Sequence, residues 1–462
     1  MRENFRTVDR DTEYLLPPSM NDWLPEGHLA RFIVEIVNQL DLSGLNRAYR
    51  GRGHKAYDPK MMIAFLFYGY ATGTFSSRKL ENASYDSVAF RYITADQHPD
   101  HDTIAHFRKR FLGELDGLFV QILQIAGQSG VLKVGTVSLD GTKIKANASK
   151  HKAMSYAHAN RIERLLKEEV QELLRKAEEA DEAEVPDGMD IPEELKIRKN
   201  RLEAIARAKA EIERRAAERD EQEQAEYEKK LAQRAQKEKE TGKKPGGKIP
   251  KTPEKGPRDK DQMNLTDSES RIMPDNGGYS QCYNAQASVD TDTMLVVGSH
   301  LTQNPNDKQE IVPAIESLHA LPEELGAARN LLADTGYYSE QNVNRCVSNG
   351  ITPYISTKRE KHHKSLKERF AEDSEQREPE DAVDEMRQRL KTKAGRRIYA
   401  KRKSTVETVF GNIKSTQGFR QFSLRGMKNV QGEWTLVCMA WNLKRLLWPG
   451  KVKQGLRGSV FE

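Results

Sequence analysis

Apolar positions follow three different patterns along the chain. Up to about residue 130 they recur at helical spacing between short turns. "DPKMMIAFLFYGYATG" offers Asp58 as a cap and Pro59 in the first turn, with Gly69 and Gly73 toward its end. "SSRKLENASYDSVAFRYI" and "DHDTIAHFRKRFLGELDGLFVQILQIAG" continue the pattern. They predict a compact helical unit over 20–128 with basic edges at Arg78, Lys79, Arg108, Lys109 and Arg110. From about 154 to 182 a single seam runs through Ile162, Leu166, Val170, Leu173 and Ala177. "EVPDGMDIP" interrupts it, and a second helix from near Glu193 carries Leu195, Leu202, Ile205 and Ile212 before the sequence turns polar. This predicts an antiparallel helical hairpin, then a solvated arm and a tail of linker composition, "KEKETGKKPGGKIPKTPEKGPRDKDQ".

After residue 278 the period changes. "YSQCYNAQASVD" and "TMLVVGSHL" predict strands, "NDKQEIVPAIESLHAL" a helix, "ARNLLADTGYYS" a strand ending on Asp334, "EQNVNRCVSNG" a helix and "ITPYIS" a strand. Earlier, "TVSLDGTKIKANAS" predicts a strand ending on Asp140 with a glycine turn after it. Long helices are expected over 383–416 and 431–447. Strands followed by alternating strand and helix describe an α/β mixed sheet flanked by helices.

Composition sharpens this picture in a few respects. A chain of 462 residues exceeds one ordinary core, so two or three units are expected. Net charge is +6 and the isoelectric point near 8.9, but the local basic runs "KREKHHKSLKERF" and "YAKRKS" are what suggest a polyanionic partner. Cys282, Cys346 and Cys438 form no CxxC pair, which predicts free thiols in a reducing compartment and no zinc site. "MRENFRTVDRDTEY" lacks the apolar core of a signal peptide, and "MMIAFLFYGYA" is too short to cross a bilayer. A soluble intracellular protein without membrane contact is the expectation. His98, His101 and His106 lack zinc-ligand spacing and are read as helix-entry and surface polar residues. "GKKPGGK" imitates a phosphate loop, but Ile249 stands where Ser or Thr would bind magnesium.

Three carboxylates carry the candidate chemistry. Asp140 and Asp334 stand at strand ends and Glu407 on a helix, in "KSTVETVFGNIK". Phosphodiester cleavage needs an activated oxygen nucleophile, charge relief on the phosphoryl oxygens and a stabilised leaving oxygen. Two divalent ions supply all three, and carboxylates are the ligands Mg²⁺ prefers. Each residue has a structural rival: turn chemistry for the aspartates, and an S-x-x-E capping box from Ser404 for Glu407. Helical spacing sets Lys414 on the face of Glu407. Lys401, Arg402, Lys403, Arg420, Arg425 and Lys428, interleaved with Phe410, Phe419 and Phe422, make a candidate nucleic-acid surface, with Phe410 favoured as core. Asp267, Asp275 and Asp307 are outsiders, Asp307 being read as a helix cap.

"VSLDGTKIKANAS", "GGYSQCYNAQASVD", "LLADTGYYS" and "KSTVETVFGNIKSTQGFRQFSLRGMKNVQGEWTLVCMAWNLKRL" resemble the catalytic domain of a bacterial insertion-sequence DDE transposase. The resemblance is to insertion-sequence family eleven eighty-two, within the family-four and family-five clan. "AYDPKMMIAFLFYGY" and "DHDTIAHFRKRF" are similar to the helical amino-terminal domain of the same proteins. The resemblance implies an RNase H-like fold in which Asp140, Asp334 and Glu407 hold two Mg²⁺ ions, with Mn²⁺ able to substitute. The family's tyrosine, basic residue and lysine correspond to Tyr399, Lys403 with Arg402, and Lys414, although Tyr399 lies one residue further from Glu407 than the family pattern has it.

The implied partition is a helical DNA-binding domain over 1–130 and the catalytic domain over 131–153 and 263–448. A charged helical-hairpin insertion occupies 154–262 and a tail 449–462. The implied partners are double-stranded DNA, both terminal inverted repeats and target, and further copies of the chain in a dimer or larger assembly, with the hairpin pairing subunits or touching DNA. The implied location is the bacterial cytoplasm, at the nucleoid. A nuclease of the same fold without strand transfer, or a retired DNA-binding descendant, is the alternative.

Overall fold

The computed structural model describes residues 19–47, 49, 56–180, 191–242, 246–275, 277–357 and 378–447, with only the backbone of 177–180 and of residue 191. The amino-terminal stretch, the hairpin break at 181–190, the basic run beginning at Lys358 and the tail from 448 lie outside the described residues. The chain divides into two compact units. One comprises 1–145 with 283–462, and the other 146–282.

In the first unit the front helices form as the caps direct. Asp58 accepts from the Lys60 and Met61 amides, Pro59 opens α3 (Pro59–Thr72), and Gly73 ends it in the left-handed conformation at φ 85°. Residues 62–71 of α3 are all buried, so no polar face remains to set this helix at a surface. It packs against α1 (Leu29–Gln39) and against α14 (Met427–Leu447), a second helix buried nearly all round. α14 also covers β6 (Val296–Thr302) and α7 (Leu115–Gln128). The first 130 residues therefore share a core with the sheet in one unit, because α3 and α14 each need cover on every side.

A buried polar chain ties these helices together. Tyr70 Oη donates to Glu433 Oε1 at 2.9 Å and accepts from Arg108 Nη1, on α6 (His101–Arg110), at 3.0 Å. Glu433 Oε2 accepts from the Ser423 and Leu424 amides at 2.9 and 3.0 Å. Glu433 is fully buried, so every one of these bonds replaces water it has lost. Of the three front histidines, His101 Nδ1 lies 2.7 Å from Glu81 Oε2, His98 pairs with Ser84 and stacks on Tyr85, and His106 is exposed.

The sheet of this unit runs β6-β5-β1-β7-β8. β5 (Gly278–Asp290) and β6 are antiparallel, while β1 (Thr136–Lys145), β7 (Asn330–Ala333) and β8 (Thr352–Ile355) are parallel neighbours. That order and sense is a mixed sheet covered by helices, in keeping with the expected fold class. Two local expectations change. β1 does not end at Asp140 but continues through Gly141 to Lys145, with no turn at the glycine. The predicted helix over 383–416 is two helices, α12 (Ala382–Lys391) and α13 (Lys393–Gly411), followed by a π-turn at Asn412–Thr416. The break comes at Thr392, whose Oγ1 accepts from the Gly395 amide at 2.9 Å. A Cβ on Gly395 would lie 1.8 Å from the Arg389 carbonyl oxygen, so only glycine lets the second helix start so close to the first.

The second unit is the hairpin and its base. α8 (Tyr156–Ala180) and α9 (Ile191–Thr241) run antiparallel, Glu163 meeting Lys209 and Glu169 meeting Arg198. Ala159, Leu166 and Ile205 close the seam with Met154, and Ala208 and Ile212 close it with Met263. The two methionines belong to β2 (Ala153–Ser155) and β3 (Gln262–Asn264), an antiparallel pair. β4 (Arg271–Asp275) pairs with the first residues of β5.

Candidate active site

β1 and β7 pair in parallel with Thr136 opposite Asn330, Val137 opposite Leu331 and Ser138 opposite Leu332. Each pair is separated by 330 − 136 = 194 residues, and so are Asp140 and Asp334 (334 − 140 = 194). Continuing the register sets the two aspartates side by side, where β7 has just ended. Asp334 caps the short turn Thr335–Tyr337 by accepting from the Gly336 amide at 2.7 Å. Turn chemistry and proximity to Asp140 thus coexist in one residue.

Asp140 is held from two directions. Its Oδ1 accepts from the Gly141 amide at 2.8 Å, and its Oδ2 lies 3.5 Å from Arg402 Nη1. Burial pushes the Asp140 carboxyl up to about 7. The Gly141 amide draws it back, the Asp334 charge pushes it further, Arg402 opposes that push, and Asp307 adds to it.

Arg402 bridges the site. Its Nη2 lies 2.9 Å from Glu407 Oε1, so one guanidinium joins Asp140 on β1 to Glu407 on α13. Its side chain is only 12% exposed, against 46% for Glu407. Tyr399, one turn earlier on α13, is half-buried and stands near enough to Arg402 to strengthen its charge. Ser404 lies inside α13, and its Oγ donates to the Lys401 carbonyl at 3.1 Å. The capping-box reading of Glu407 is therefore corrected: the helix is capped by Thr392, far upstream of Ser404.

The cations behind Glu407 are anchored to the far end of β1. Lys414 Nζ donates to the Lys143 carbonyl at 2.7 Å, from within the π-turn. Arg420 lies on a segment stitched to β1 by the Lys145 amide to its own carbonyl (3.2 Å) and by the Phe422 amide to the Lys145 carbonyl (2.8 Å). Lys403, Arg420, Arg425 and Lys428 have exposed side chains, and Lys401 pairs with Asp292 at 2.8 Å. Phe410, Phe419 and Phe422 are all buried, so the interleaved aromatics belong to the core and offer no stacking surface. The surface is one of cations alone.

Residues that the sequence reading missed lie beneath Gly141. Along β5, Tyr283, Ala285, Ala287 and Val289 form an apolar face while Asn284, Gln286, Ser288 and Asp290 form a polar one, and all eight are buried. Asn284 Nδ2 and Gln286 Nε2 donate to Asp307 Oδ1 at 2.7 and 2.8 Å, and Lys143 Nζ lies 3.6 Å from the same oxygen. Tyr337 Oη donates to Gln286 Oε1. Asp307 is thus no helix cap, which corrects the expectation. The residue at the cap position of α10 (Ile311–His319) is Glu310, and its side chain makes no capping bond. The available signal was the strict alternation in "NAQASVD", which ordinarily marks a strand with one wet face.

Among the described residues no three His, Cys, Asp or Glu side chains stand close enough together to hold a metal ion. Arg402 stands between Asp140 and Glu407, in contact with both. The donor set itself fits a hard divalent ion: carboxylate oxygens on a strand, a strand end and a helix, the first of them raised in pKa chiefly by burial.

Two family models match the chain, a Transposase domain (DUF772) over residues 18–110 and a Transposase DDE domain over residues 248–443. No curated protein and no solved structure matches it.

Proposed function

Starting from a chain that carries two transposase domains, the second of the DDE class, we propose an enzyme that binds the ends of its own insertion sequence and cleaves and joins DNA strands there. The observation that carries this reading is the 194-residue register of β1 on β7, which brings Asp140 beside Asp334 at the end where Arg402 links Asp140 to Glu407.

Asp140, Asp334 and Glu407 are the residues that would hold two Mg²⁺ ions, or Mn²⁺ in their place. When bound, the ions activate the attacking oxygen and stabilise the leaving one. The chain's own residues do the rest. The Gly141 amide fixes the direction of the Asp140 carboxylate, and Arg402, between Asp140 and Glu407, would with Lys403 hold the DNA backbone beside the carboxylates. Lys414, Arg420, Arg425 and Lys428 extend that grip on phosphates, and Tyr399 supports Arg402. The front helices and the hairpin belong to recognition of the ends and to assembly of two copies on DNA. The family-eleven-eighty-two type and the nucleoid location belong to the same reading.

The test is excision and joining of a plasmid segment bounded by the DNA ends that flank the gene, in Mg²⁺, with native protein and Glu407→Gln. Joined product from the native protein alone is expected. Cut ends that are never joined point to a nuclease, and equal activity of both proteins removes Glu407 from the chemistry.

A further inference from the structure

Asp307 reaches the centre from the loop after β6 and has no part in the steps above. Its Oδ1 accepts from Asn284 Nδ2 at 2.7 Å and Gln286 Nε2 at 2.8 Å, and Lys143 Nζ lies 3.6 Å from it as an ion pair. Its Oδ2 faces the aspartate turn, since a Cβ built on Gly336 would lie 3.7 Å from Asp307 Oδ2 and 2.9 Å from Asp334 Oδ1. The same groups press on β1 from below. A Cβ on Gly141 would lie 2.2 Å from Gln286 Nε2, 2.7 Å from Asp307 Oδ1 and 2.8 Å from Asn284 Oδ1. Asn284 is fully buried and its Oδ1, aimed at Gly141, has no hydrogen-bond partner. A buried polar group left in that state is retained at a cost, which a purely structural packing of this strand would not need.

We infer that Asp307 is a positioning residue of the catalytic centre. Through Asn284 and Gln286 it fixes the Gly141 peptide, whose amide aims Asp140, and through the ion pair at the same oxygen it holds the Lys143 ammonium beside the carboxylates. In this scheme its role is positioning rather than ligation, because its Oδ1 is already held by the Asn284 and Gln286 amides. The inference rests on the proposed metal-dependent cleavage, and it predicts that outer partners matter nearly as much as ligands. Loss of such a partner typically costs 10- to 100-fold in metal affinity or activity.

The experiment measures Mn²⁺ binding to the full chain by the paramagnetic resonance signal of free Mn²⁺, alongside cleavage kinetics on end DNA. Asp307→Asn is expected to keep the native number of bound ions, weaken their affinity about tenfold, and slow cleavage by a similar factor with KM for DNA unchanged. Native-like affinity and rate overturn the inference, and loss of one bound ion overturns it in favour of a direct ligand. Where circular dichroism shows Asp307→Asn unfolded, Gln286→Met decides: weakened Mn²⁺ binding supports the inference and native binding overturns it. A native protein that neither binds Mn²⁺ nor cleaves sinks the proposed function and this inference together. Normal native activity with an indifferent Asp307→Asn sinks the inference alone.

Discussion

The charged groups around Asp140 and those along the hairpin obey different rules. On α8 and α9 an acid meets a base one turn away, as Glu163 meets Lys167 at 2.6 Å and Glu211 meets Arg214 at 2.7 Å. Their basic partners are more than half exposed, so solvent screens these pairs and their contribution to stability is small. Around Asp140 the partners come from far along the chain, Arg402 from 402 − 140 = 262 residues away, and they are shielded from water. The lesson is that charge density alone ranks the two regions wrongly. The hairpin has the more charge, and the centre has the charges whose removal leaves a neighbour buried and unpaired.

The largest expected effect lies in the centre. Asp140→Asn is expected to lower DNA cleavage and joining by on the order of 10³-fold or more, as for the loss of one member of an interdependent catalytic set. A single-turnover cleavage assay reads it, and residual activity within tenfold of native would take Asp140 out of the site.

Next comes Glu433, fully buried and accepting from Tyr70 and two backbone amides. Glu433→Ala strands those donors and should cost about 3 kcal/mol or more in urea unfolding of the full chain. The same assay on Lys167→Ala, in the hairpin, should move stability by less than about 0.5 kcal/mol. Equal losses from the two would mean that buried and solvated charges contribute alike in this protein.

The pH dependences should have opposite signs. Asp140, raised to about 7, binds more protons folded than unfolded, so its contribution weakens as pH climbs from the ordinary carboxyl range toward 7. Asp140→Asn should flatten that part of the stability profile. Glu211 is drawn down to about 2, chiefly by its hydrogen bond from Arg214, with burial opposing. Its contribution is complete above about 4.5 and is lost as pH falls toward 2. Helical circular dichroism from pH 5 to 2 should show an acid loss that Glu211→Gln diminishes. The smallest effect expected is that of Lys167→Ala on DNA cleavage, which should be within twofold of native.

Much of the fold was legible because its signals are local. Asp58, Pro59 and Gly73 bound α3 in the sequence as they do in space, and the seam of Leu166, Ile205 and Ile212 closes the hairpin as its spacing predicts. Asp140, Asp334 and Glu407 were candidates by context and by the family resemblance, each with a turn or a cap as its structural rival. Asp307 was set aside because "NDKQE" before a helix looks like a cap from sequence alone. Gly141 looked like a turn for the same reason: a glycine after an aspartate says nothing of what passes beneath it.

By itself, then, the sequence determined the front helix capped by Asp58 and Gly73, the hairpin, the presence of the strands and the short list of acids, since each depends on residues within a turn or two. Tertiary structure decided which acids meet. A parallel register 194 residues wide, a polar strand face buried under Gly141 and a guanidinium on α13 are set by pairings across the sheet. No local period encodes such pairings, and long-range packing alone selects them.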